Sequence, residues 1–115
     1  MSRDNAYLCD ILNAAPAIQR FVAGVTRKEF FANEEKHEAV IRKFEIIGEA
    51  TKRLSADTRA KLPGIPWHLA AGMRDVLIHD YDDVNLSEVW DATHQDLPEL
   101  IRQIEAYLAT QPPPS

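Results

Sequence analysis

The stretch Val40-Ile41-Arg42-Lys43-Phe44-Glu45-Ile46-Ile47-Gly48-Glu49-Ala50-Thr51-Lys52-Arg53-Leu54 decides the fold class. Val40, Ile41, Phe44, Ile47, Thr51 and Leu54 recur at three- and four-residue steps, with charged residues between them. This is the period of a helix with one buried face, not the alternation of a strand. The helix starts near Asn33, whose side chain can cap the acidic first turn Glu34-Glu35. Gly48 lowers intrinsic helix stability and is read as a point of close approach by another helix.

The segment before it carries the same period. Tyr7, Ile11, Ala14, Ile18, Phe21, Val22 and Val25 form a first helical stripe, which Pro16 should bend. Gly24 and Thr26 mark its end, and Thr26-Arg27-Lys28-Glu29 reads as a short capped turn. After Leu54, the chain from Ser55 to Pro66 reads as a loop with one extra turn, ended by Pro63-Gly64. Pro66 suits the first turn of a third helix through Trp67, Leu69, Ala70, Met73, Val76 and Leu77. The acidic run from Asp80 to Asp83 should end that helix, because carboxylates are unfavourable at a helix C-terminus.

Asn85 and Glu88 open the last helix. Its stripe is Leu86, Val89, Trp90, Thr93, Leu97, Leu100, Ile101, Ile104 and Leu108, and Pro98 should kink it. Four long helices with short connections predict an all-α, antiparallel up-and-down four-helix bundle with a short extra turn. The bundle is expected to span residues 1–110, followed by a proline-rich disordered tail at 111–115.

The chain has 115 residues, enough for one domain with a core that needs no disulfide or metal. Its one cysteine, Cys9, falls in the first apolar stretch and is read as a small core residue. With no internal bridge possible, no basic start followed by an apolar run, and no bilayer-length apolar segment, the expected location is the cytoplasm. The formal net charge of −5 counts against a general nucleic-acid binder, which needs a basic surplus to release counterions. Any action on RNA must come from a local pocket.

One such pocket is legible in Arg74-Asp75-Val76-Leu77-Ile78-His79-Asp80-Tyr81. Arginine holds phosphate with a planar fork of donors, histidine moves protons near neutral pH, and a phenol offers a modifiable hydroxyl. On a helix, Arg74 and Tyr81 lie about 20° apart and share a face, whereas Arg74 and His79 lie about 140° apart. His79 aligns instead with Asp75, which can orient the imidazole. Cleaving an RNA phosphodiester needs a base for the 2′-hydroxyl, an acid for the leaving 5′-oxygen, and a cation at the phosphorane. A single His79 does not easily serve as both base and acid, so a two-fold dimer is the expected way to complete the site.

The Arg-x4-His-x-Tyr spacing resembles the hallmark of the HepT-like ribonuclease toxins of the HEPN superfamily. Pro66-Trp67-His68 before the motif, and Asp83-Val84-Asn85 then Val89-Trp90 after it, are similar to that family too. The resemblance covers most of the chain and implies the HEPN-like bundle. It also implies a homodimer with a composite cleft, lined by Arg74 and His79 of both chains and acting on an RNA substrate. Arg74, His79 and the orienting Asp75 then match the catalytic positions. The family's partner is an MNT-type nucleotidyltransferase antitoxin that transfers AMP onto the motif tyrosine, here Tyr81. Bulky phosphates on Tyr81 would occupy the substrate-phosphate site beside Arg74.

Other polar groups rank lower. His68, Asp75, His79 and Asp82 roughly share a stripe, but hard-metal bundle sites usually draw inward-facing carboxylates from several helices. No metal and no cofactor are expected. His37 is read as a solvated helix residue, and His94 as half-exposed or partner-contacting. The rival function is a non-catalytic helical accessory subunit that binds a nucleotidyltransferase or a nucleotide. The acidic charge fits this rival slightly better, and the intact Arg74, His79 and Tyr81 set fits the enzyme.

Overall fold

The computed structural model describes residues 3–65, 67 and 86–111. All regular elements among them are helices: α1 (Asp4–Val22), α2 (Arg27–Ala32), α3 (Glu34–Arg53), α4 (Ala56–Ala60), α5 (Leu86–Asp91), a π-helical turn (Ala92–Asp96) and α6 (Leu97–Ala109). The fold is an all-α bundle, as the periodicity predicts. The expected third helix lies outside the described residues, apart from Trp67.

The helix boundaries follow from side-chain chemistry. Pro16 is contained within α1, and Gly24 follows its end at φ +72°, a left-handed conformation that favours glycine. Lys36 Nζ reaches back to donate to the Phe21 carbonyl at 3.1 Å, satisfying an acceptor in the last turn of α1. α2 opens with a reciprocal capping box: Glu29 N donates to Thr26 Oγ1 and Thr26 N to Glu29 Oε1, both at 3.1 Å. The Thr26 backbone N–H first, and then the Thr26 hydroxyl, hold the Glu29 carboxyl below its ordinary pKa. Asn33 caps α3 through its side chain, accepting from Lys36 N at 3.0 Å. The extra turn is α4, capped by Ser55.

α1 and α3 pack along one another and supply most of the core. Leu8, Ile11, Ala15 and Ile18 of α1 meet Val40, Ile41, Phe44 and Ile47 of α3, while Phe30, Val89, Leu97 and Ile104 close the far sides. The whole predicted stripe of α3 is buried, including Thr51. Thr51 is tolerated there because its hydroxyl donates to the Ile47 carbonyl at 2.7 Å. Thr93 does the same toward Val89 at 2.9 Å.

Two expectations change. Cys9 is exposed, not a core residue. The buried stripe of α1 runs Asp4, Leu8, Ile11, Ala15, Ile18 and Val22, and residue 9 is rotated about 100° away from Leu8. An apolar neighbourhood in sequence did not put Cys9 on the apolar face. His37 is half-buried with its ring edge-on to Phe30 at 6.0 Å, so it is more than a solvated residue.

Where the sequence predicts a kink at Pro98, the structure shows a π-helical turn just before it. Leu97 N donates to the Ala92 carbonyl five residues back, and Pro98 follows within the first turn of α6. Proline cannot donate to an i−4 carbonyl, and its ring clashes with that carbonyl in a regular helix. The wide turn gives the ring room, and the helix resumes beyond it.

Candidate active site

Arg74, Asp75, His79 and Tyr81 lie outside the described residues, as do His68, Asp82 and the flanking Pro66 and Asp83-Val84-Asn85. The structure does describe the two points between which the motif runs. On the N-terminal side, Trp67 is buried. Its indole N–H is shared between the carbonyls of Leu62, at 3.1 Å, and Arg59, at 3.2 Å. A buried indole with its donor satisfied in this way makes a firm anchor. α4 and the loop after it supply both acceptors, which gives that small element its purpose.

On the C-terminal side, α5 is pinned through α2. Arg27 donates to Ser87 Oγ and pairs with Asp91 at 3.5 Å. Val89 is buried, Leu86 packs against the core, and Trp90 tilts onto Phe30 with ring centroids 5.3 Å apart. His94 stacks on Trp90 at 4.1 Å, and its Nδ1 lies 2.9 Å from the Trp90 carbonyl. His94 is exposed, more open than the half-exposed position expected for it.

Sequence reading missed three parts of this frame. Asp4 is buried, and its carboxylate accepts from Ser55 N and from the hydroxyls of Ser55 and Thr58. This ties the start of α1 to the cap of α4, across a sequence separation that leaves no local signal. Arg27 as the link between α2 and α5 is equally non-local. The stacking of His94 on Trp90 did have a signal, the four-residue spacing on one helix. Away from this frame, a cavity of about 290 Å³ on the α1–α3 face is lined by Tyr7, Asp10, Arg42, Glu45, Ile46, Glu49, Ala50 and Arg53. Its arginines pair with neighbouring glutamates, Arg42 with Glu45 at 3.2 Å and Arg53 with Glu49 at 3.1 Å.

No helix among the described residues is long and apolar enough to cross a membrane. Comparison with known proteins adds the family context. A family model described as Ribonuclease HepT-like matches residues 11–107, a span that contains the whole Arg74-to-Tyr81 motif. A Thermococcus cleftensis protein named "Probable ribonuclease HepT" is 38% identical over 99 residues, covering 86% of this chain and 90% of that protein. The Methanocaldococcus jannaschii protein "Putative RNase MJ1380" is 36% identical over 100 residues, covering 87% of this chain and 92% of that one. The Caldanaerobacter subterraneus subsp. tengcongensis protein "Putative RNase TTE0752" is 36% identical over 108 residues, covering 94% and 96%. No solved structure matches the chain significantly.

Proposed function

The chain belongs to the HepT-like ribonuclease family, and from that premise we propose that it is a metal-independent endoribonuclease toxin of the cytoplasm, active as a homodimer. The observation that carries this reading is the intact Arg74-x4-His79-x-Tyr81 motif inside the matched span. A pure scaffold has no need of all three residues.

In this reading one His79 removes the proton of the ribose 2′-hydroxyl, and the oxygen attacks the adjacent phosphorus. The other His79 of the dimer protonates the departing 5′-oxygen, so the two histidines exchange roles as base and acid. Arg74 stabilises the charge on the phosphorane, and Asp75 orients the imidazole. The products are a 2′,3′-cyclic phosphate and a free 5′-hydroxyl. Control comes from a nucleotidyltransferase antitoxin. The Tyr81 oxygen attacks the α-phosphorus of ATP, pyrophosphate leaves, and the resulting AMP-tyrosine places phosphate beside Arg74.

The net charge of −5 favours the alternative of a non-catalytic subunit that binds a nucleotidyltransferase. Expressing the chain alone separates the two. The toxin reading expects growth arrest and fragmented RNA, both abolished by Arg74→Ala. It also expects that any cleavage retained by Tyr81→Phe resists neutralisation by the antitoxin. Intact RNA and normal growth with the wild-type chain would favour the accessory subunit.

A further inference from the structure

α2 and α5 meet at the surface through a set of planar side chains. Arg27, Phe30 and Phe31 share one face of α2 at i, i+3 and i+4. Ser87, Trp90, Asp91 and His94 follow the same spacing along α5 and the π-helical turn. Phe30 is fully buried and forms the floor. Trp90 tilts onto it, His94 lies over Trp90 with an interplanar angle of 38°, and Phe31 meets Phe30 edge-on at 6.2 Å. The Arg27 guanidinium lies 5.1 Å over the Phe31 ring while contacting Ser87 and Asp91. His94 and Phe31 form the outer layer, and Phe31, 38% exposed, is an uncovered large hydrophobic side chain.

His94 is held in a defined way. A carbonyl only accepts hydrogen bonds, so the contact with the Trp90 carbonyl puts the proton of the neutral ring on Nδ1. Nε2 is left as an acceptor on the other edge of the ring. The turn that carries His94 is π-helical, a local form frequent at functional sites.

We propose that this surface stacks unpaired bases of RNA on its outer rings, His94 and Phe31, and so helps to hold the substrate strand. The identity of the ligand rests on the ribonuclease reading. The charge of the chain does not favour RNA, so affinity at this surface has to come from stacking. At −5 overall, with Arg27 already paired to Asp91, counterion release from the phosphate backbone is a weak source of binding. Stacking on an aromatic ring needs no net charge and accepts every base. A duplex keeps its bases stacked on one another, so the surface selects single strands.

The probe is a short 2′-O-methyl oligoadenylate, which lacks the attacking hydroxyl and stays intact. The His94→Ala, Phe31→Ala double substitution should weaken its binding by about tenfold or more, the scale of a lost base–aromatic stack. Both side chains are exposed, so circular dichroism should match the wild type. His94→Phe should keep the affinity, and the same sequence as a duplex should bind poorly. Wild-type affinity in the double variant would overturn the proposal. So would dissociation of a dimer by these substitutions without loss of binding per protomer, because the face would then be an interface between copies. Cleavage of ordinary RNA is scored separately. Arg74-dependent cleavage with binding indifferent to His94 and Phe31 overturns this surface alone. Binding that depends on His94 and Phe31, in a wild-type chain that cuts no RNA, overturns the ribonuclease reading alone.

Discussion

Asp4 shows how one residue can hold distant parts of this chain together. Its buried carboxylate serves three donors of Ser55 and Thr58, and its place in the first turn of α1 suits the positive end of the helix dipole. Asp4→Ala leaves the buried Thr58 hydroxyl without its carboxylate acceptor and should lower the unfolding free energy by about 1–3 kcal/mol in urea melts. An unchanged melt would mean that water replaces the carboxylate at no cost. Because Ser55 and Thr58 also form the α4 cap, the variant should loosen the segment that presents the Arg59 and Leu62 carbonyls to Trp67. Asp4 and Cys9 mark the limit of reading residues from local pattern. A buried carboxylate with partners some fifty positions away has no signature nearby, and Cys9 was placed by its apolar neighbours when its angle on the helix decided the outcome.

At the scale of elements, much more was legible, because the signals are local. The Thr26–Glu29 box and the Asn33 cap were readable from residue type and spacing, and both form as expected. Every residue of the expected α3 stripe is buried, and Gly48 and Ala50 join them. Pro98 announces a disturbance but not its form: the π-helical turn depends on how the chain relieves the clash. That account can be tested by a cycle of variants. Deleting Gln95, an exposed residue of the turn, should restore a regular helix and force the Pro98 ring against a carbonyl. The expected cost is about 3 kcal/mol. Pro98→Ala in the same background should recover most of it. Equal losses with and without Pro98 would show that the turn is kept for another reason, such as the placement of His94.

For the whole molecule, the bundle, the family and the anchoring of the motif's flanks fit a single picture. The helical bundle was legible from periodicity, and the family from the motif and its flanks. How two chains would combine was not, because a single sequence carries its partner surface only as unassigned polar and apolar positions. The dimer is required in this account by proton stoichiometry: one His79 per chain, two transfers per cleavage. The most direct measurement incubates the purified chain with single-stranded RNA in excess chelator and analyses the ends produced. The account predicts 2′,3′-cyclic phosphate ends, a bell-shaped dependence of rate on pH, and loss of cleavage in a folded His79→Ala variant. Cleavage that requires magnesium, or that proceeds at the wild-type rate in His79→Ala, would contradict it.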